Sequence, residues 1–198
     1  MPRHVPIRTP DVPDRARYQD YKPQLRQDFL HACGYCGDGD RFYGGLPGYH
    51  VDHFAPKKRF PAREFLYTNL VYSCPYCNRG KSDKWIGDDP DQSHDGQAGF
   101  IDPCLPDFDD HLERDAEGRF VAKSAVGGYM ITHLRLYLDR HRLIWAIQTL
   151  HALRERAQSL RHRLKADDAR YVPLLEAIAE ISEQIDDYSR EVFGAPAQ

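Results

Sequence analysis

Four of the five cysteines in this 198-residue chain fall in two pairs of identical spacing, Cys33-Gly-Tyr-Cys36 and Cys74-Pro-Tyr-Cys77. A two-residue gap lets both sulfurs of a pair turn toward one point. Two such pairs make a tetrahedral thiolate set for Zn2+ at about 2.3 Å, helped by small or turn-forming residues inside each pair. Four thiolates leave no position for water, so an ion held by Cys33, Cys36, Cys74 and Cys77 is structural, and it can supply much of a small module's folding free energy. Two disulfides are the competing reading, which a reducing compartment disfavours. The 37 residues between the pairs exceed what a zinc ribbon needs, so something is inserted there. Cys104, beside Pro103, stands outside the pattern and reads as a buried or incidental thiol.

The insert holds His50-Val-Asp52-His53, then Asn69-Leu-Val-Tyr-Ser-Cys74, then Cys77-Asn78-Arg79-Gly80-Lys81-Ser82-Asp83. In this order, framed by the two cysteine pairs, these residues resemble the HNH endonuclease family: an Asp-His pair, a middle Asn, and a closing His or Asn just after a cysteine knuckle. The ending Asn-Arg-Gly-Lys-Ser-Asp is also similar to the HNH domain of RNA-guided CRISPR effectors. Further on, Ile101-Asp102-Pro103 and Asp107-Phe-Asp-Asp-His111 are similar to segments of bacterial HNH proteins, some of them linked to anti-phage defence. The resemblance implies a ββα-metal nuclease that cuts DNA, with DNA favoured over RNA by the resemblance alone.

Chemistry assigns the same residues to roles. Hydrolysis of a phosphodiester needs a base for water, and histidine titrates near neutrality, so His53 is the expected general base. A hard cation takes a few oxygen ligands and leaves room for water and phosphate. Asp52 and Asn78, which match the family's metal positions, are expected to hold it. Asn78 stands where many members carry His, which favours Mg2+ or Mn2+ over a softer ion. Asn69, the family's middle Asn, is expected to bridge backbone groups and orient the loop of the base. Lys81, and less so Arg79, is expected to meet a phosphate. Adjacent residues of a regular strand face opposite ways, so Asp52 and His53 share a site only where the strand ends, twists or bulges. His50 falls on the Asp52 side, outside the catalytic set. A zinc-stabilised nucleic-acid reader without catalysis is the alternative function.

The resemblance implies the strands and helix of the ββα unit that must position these groups, and apolar pattern gives the C-terminal helices. The fold class is α+β: a zinc-stabilised ββα-metal module followed by a C-terminal antiparallel helical hairpin. His50–His53 is placed on the first strand, Val71-Tyr72 in the second, and Asn78 to Trp85 at the start of the helix. Residues 1–22 read as an extended segment, 23–86 as the zinc-bound module, 87–129 as an acidic, loop-rich connection, and 130–198 as helical, with residues 194–198 fraying. Leu143, Ile147, Leu150, Leu153, Ala157, Leu160 and Leu164 form one helical stripe, and Leu174, Ile178, Ile181, Ile185, Tyr188 and Val192 another. Pro173 suits the first turn of the second helix, and residues 166–169 read as the turn between the two.

The formal net charge is −3, so the whole chain is not a polyanion binder. Residues 52–84 carry seven Lys/Arg against three acidic groups, while residues 88–120 carry eleven Asp/Glu against Arg114 and Arg119. That polarity fits a nucleic-acid site on one face. Residues 131–165 are basic and 167–193 acidic, as expected of charge-matched helices. They offer a docking surface for a second copy or for a protein partner such as an ATPase. No apolar run is long enough for a membrane span and no signal peptide opens the chain, so a cytoplasmic location is expected.

Overall fold

Between the cysteine pairs the chain folds back on itself as two antiparallel strands. β1 (His50–His53) pairs with β2 (Leu70–Ser73) in the register His50↔Ser73, Val51↔Tyr72, Asp52↔Val71, His53↔Leu70. The structure is a computed structural model and describes residues 4–194, so the fraying expected beyond Gly194 lies outside the described residues. All four residues of β2 are buried, which is why Leu-Val-Tyr-Ser shows no polar alternation. Beside β2 runs α1 (Lys22–Asp28), with Pro23 in its first turn and Leu25 buried. Leu30 and His31 then adopt left-handed φ angles of 52° and 61°, and this reversal delivers the chain to Cys33.

The helix of the module, α2, spans Pro75–Lys81, three residues earlier than the expected start at Asn78. Pro75 costs no hydrogen bond in the first turn, and the Cys74 sulfur caps it by accepting from the Cys77 amide. Asn78 therefore lies mid-helix. Ser82, at φ 51°, ends the helix, so Ser82–Trp85 is outside it. Gly80 allows α2 to lie against α4 (Ala125–His133), since a Cβ there would stand 2.6 Å from the His133 carbonyl oxygen.

Residues 87–129 are more than a connection. They form α3 (Phe108–His111) and a second antiparallel pair, β3 (Leu112–Arg114) with β4 (Phe120–Ala122), before α4 opens on the Ser124 cap. Phe100, Ile101, Phe108, Leu112, Val126 and Met130 share one core with Leu25, Phe29, Tyr35, Leu70 and Tyr72. The acidic residues dominate the composition there, but the apolar ones between them point inward. The N-terminal segment lies across this core. Arg8 donates to both carboxylate oxygens of Asp102 at 2.9 and 3.1 Å and to the Leu70 carbonyl at 2.9 Å. These segments belong to one compact unit, Met1–Leu138.

The second unit, Asp139–Gln198, holds α5 (Asp139–Arg161) and α6 (Tyr171–Phe193), joined through a turn and packed antiparallel. Arg154 donates to Ser182 Oγ at 3.4 Å, and Arg142 lies 3.6 Å from Glu191. On α6 the expected stripe is buried or half-buried throughout. On α5 it breaks: Leu153 and Leu160 are exposed, and Leu164 lies past the helix end. Two successive steps of three carry Leu153 about 120° around the helix from Ile147. Among the described residues no helix is long and apolar enough to cross a membrane.

Candidate active site

The two knuckles close on one point. Cys33, Cys36, Cys74 and Cys77 are buried free thiols whose sulfurs lie within 4.8 Å of one another. Cys36 and Cys74 are 3.7 Å apart at sulfur, and a tetrahedron with bonds of about 2.3 Å has edges of about 3.8 Å. The first knuckle is tied to β2 by the Gly34 amide donating to the Tyr72 carbonyl at 2.9 Å, and a Cβ at Gly34 would meet the Phe29 ring at 2.7 Å. Burial raises the thiol pKa values of Cys36, Cys74 and Cys77, and a divalent ion offsets that cost by stabilising the thiolates. Arg114 adds positive charge: its largely buried guanidinium donates to the Cys36 carbonyl at 2.7 Å and lies 3.9 Å from the Phe120 ring centroid. Four thiolates around Zn2+ carry a net −2, which a neighbouring guanidinium stabilises, so these residues fit structural zinc.

Asp52 lies buried where β1 ends. Its Oδ2 accepts from the Tyr35 hydroxyl at 2.6 Å and stands 3.3 Å from Lys81 Nζ. Oδ1 takes no hydrogen bond among the described residues. Tyr35 sits inside the first knuckle and is fully buried with its hydroxyl on Asp52, so it does more than fill a turn. Burial raises the Asp52 pKa and lowers that of Lys81, and each charge offsets part of the other's penalty.

Lys81 is 0 % exposed and also donates to the His53 carbonyl at 2.7 Å. The phosphate contact expected of Lys81 is therefore not available: the ammonium is sealed between α2 and the end of β1, where it ties the two together. The length of a lysine and its place in a Gly-Lys-Ser-Asp run carry no sign of this burial.

His53 follows Asp52 as the last residue of β1, and the two groups are near enough for their charges to interact. Its Nε2 lies 3.0 Å from the Glu64 carbonyl oxygen. A carbonyl only accepts, so Nε2 carries the proton and the neutral ring keeps its lone pair on Nδ1. Burial lowers the His53 pKa below its ordinary 6.5, against opposing effects of the Glu64 carbonyl and Asp52. Asn69 bridges the neighbouring backbone: its Oδ1 accepts from the Ala55 amide at 2.8 Å, and its Nδ2 donates to the Ala55 and Arg63 carbonyls at 3.0 and 3.1 Å. The chain leaving β1 and the loop before β2 are thus joined through one side chain.

Asn78 is half-buried on α2, one turn before Lys81 and on the same face, and its side-chain amide has no hydrogen-bond partner among the described residues. Among the described residues, Asp52 Oδ1 on β1 and the Asn78 side-chain oxygen on α2 accept no hydrogen bond. His50 is exposed. Arg79 is exposed and donates to the Pro75 carbonyl.

The basic run after His53 is largely committed. Lys57 pairs with Glu64 at 2.7 Å, Arg59 donates to the Trp85 and Gly87 carbonyls and to Asp88, and Arg63 pairs with Asp91. Much of the positive charge counted in the sequence is met by residues 64–91 and does not form an open basic face.

Residues 33–84 match the family model described as HNH endonuclease. No curated protein and no solved structure matches the chain.

Proposed function

We propose that the HNH domain at residues 33–84 makes this protein a metal-dependent endonuclease that hydrolyses phosphodiester bonds in nucleic acid, with DNA as the substrate. The observation that carries this reading is the contact of His53 Nε2 with the Glu64 carbonyl, which leaves Nδ1 as the ring's acceptor, and burial lowers the pKa of the ring.

His53 Nδ1 takes a proton from water as the water oxygen attacks phosphorus; the bond from phosphorus to the sugar oxygen breaks, and that oxygen leaves with the bonding electrons and takes a proton from solvent. A hard divalent cation, held by Asp52 and Asn78, would supply positive charge to the phosphate as negative charge develops. Asn69 holds the backbone that follows the base. Lys81 acts as a positioning residue, fixing Asp52 and the strand end against α2. Arg79, exposed beside Asn78, is the remaining phosphate contact in the motif. One base and one cation site cut one strand at a time, so the expected product of a closed duplex is a nick. A second copy joined through the C-terminal helices would supply the other cut. Asp102, part of the segment similar to defence-linked proteins, is engaged by Arg8 and the Cys104 amide, so a defence role has only the resemblance behind it.

The test is supercoiled plasmid, and a single-stranded RNA in parallel, incubated with zinc-loaded protein in Mg2+, Mn2+ or EDTA. The reading expects nicked circles with either cation and none in EDTA. Bound but uncut DNA under every condition would favour the zinc-stabilised reader, and preferential cutting of RNA would overturn the choice of DNA.

A further inference from the structure

His53 has a neighbour from outside the family-matched region. Tyr18 opens a short 3-10 turn, Tyr18–Tyr21, and its ring meets the His53 ring edge-on at 4.6 Å between centroids. Lys57 Nζ lies 4.1 Å from the Tyr18 ring centroid and 2.7 Å from Glu64 Oε1, and the Glu64 carbonyl receives His53 Nε2. Tyr18, His53, Glu64 and Lys57 therefore form a closed circuit around the imidazole. The segment carrying Tyr18 is fastened on both sides. Upstream, Arg8 is held by Asp102 and the Leu70 carbonyl, and Thr9 by Asp28. Downstream, Tyr21 is buried against Tyr67 at 5.2 Å.

An imidazole held by a single hydrogen bond at Nε2 still rocks about that bond, and each excursion moves Nδ1 off the water it must deprotonate. An aromatic neighbour removes that freedom without competing for either nitrogen. We propose that Tyr18 is a positioning residue for the general base: the N-terminal segment acts as a clamp that holds the His53 ring with Nδ1 toward the substrate, and Lys57 serves the clamp by fixing Tyr18 and Glu64 together. The kinetic consequence rests on the nuclease reading above; the clamping of the ring does not. Lys57 then belongs to the machinery that orients the base, and its ammonium is not the phosphate contact its place in a basic run suggests.

The working contact is the ring, so Tyr18→Phe should keep the function and Tyr18→Ala should lose it. With zinc content and melting temperature measured for each variant, Tyr18→Ala is expected to lower kcat on plasmid about 100-fold, as misplaced catalytic groups do. KM should stay within about twofold, and Tyr18→Phe should restore kcat to within about threefold of the parent. Nitrogen-15 chemical shifts of His53, read without substrate, should show the Nε2–H tautomer in the parent and in Tyr18→Phe, and a tautomer mixture or exchange-broadened signals in Tyr18→Ala. Lys57→Met, at a half-exposed position that leaves the core intact, should produce a smaller change of the same kind. Equal kcat and unchanged His53 signals in Tyr18→Ala would overturn the proposal. So would equal damage by Phe and Ala, or a KM effect without a kcat effect. If the parent protein cuts nothing, the nuclease reading fails, while the nitrogen shifts still decide whether Tyr18 clamps the ring.

Discussion

A carboxylate buried as deeply as Asp52 survives in ionised form only if its partners replace water, and here they are the Tyr35 hydroxyl and the Lys81 ammonium. Lys81→Met removes the ammonium and leaves the charge stranded, and equilibrium urea unfolding should show a loss of about 3–5 kcal/mol. Adding Asp52→Leu to that variant should recover part of the loss, whereas additive losses would contradict the pairing. The same pairing means that Asp52 adds little net negative charge, so a cation should bind the free protein weakly and the nucleic-acid complex more tightly, which isothermal titration with and without an uncleaved oligonucleotide can read. For His53 the sign is set by burial. The neutral ring is the active form, and a lowered pKa means that protonation begins only further into acid. The acid limb of kcat/KM should therefore have its midpoint below 6.5, and a cation at the neighbouring carboxylate pushes the same way. A midpoint above 7 would contradict this account. At this scale the four-cysteine cluster is legible in the sequence because residue type and spacing carry it, and the candidate set of Asp52, His53, Asn69 and Asn78 is named by the family resemblance. Tyr18, Tyr35 and the Glu64 carbonyl are not: a backbone oxygen has no residue-type signature, and a tyrosine in a turn looks like any other.

At the scale of elements, close approach decides most of what the pattern misses. Gly80 lies where α2 meets the end of α4, and Gly80→Ala should cost about 1–3 kcal/mol because the added methyl meets a backbone oxygen that cannot step aside. An unchanged unfolding midpoint would mean that α2 and α4 separate readily. Asn69 joins two loops by three hydrogen bonds. Asn69→Ala leaves the buried Ala55 amide without its acceptor and should lower stability by about 1–3 kcal/mol, with kcat falling further than stability does if the loop of His53 drifts. The first two strands are placed by the family resemblance, since His-Val-Asp-His carries no strand pattern of its own. The helix start is misread because Pro75 and Cys74 already make a cap before Asn78. The second strand pair, β3 with β4, is hidden among acidic turns. On α5 a stripe of leucines overstates the packed face, since helical periodicity records which residues are apolar and not which of them find a neighbour.

In the whole molecule, the four-cysteine cluster joins three parts of the Met1–Leu138 unit: the turn after α1, the end of β2 and the start of α2. Arg114, from the second strand pair, adds its charge beside the cluster. Stripping the metal with a chelator should therefore unfold the candidate site as a unit, seen as loss of tryptophan and tyrosine near-UV signal together with release of one Zn2+ per chain. Arg114→Met should lose zinc to the same chelator about 10–100 times faster, the scale on which outer partners tune metal sites. An Arg114→Met variant that holds zinc like the parent would remove the guanidinium from the account. The central claim is that His53 is the base of a nuclease. The most direct measurement is nicking of supercoiled plasmid in Mg2+ by the parent and by His53→Ala, each shown to carry zinc and to melt at the same temperature. The account predicts that the parent nicks and that His53→Ala falls by at least about 100-fold, the range of general-base catalysis. Equal nicking by both proteins would contradict it.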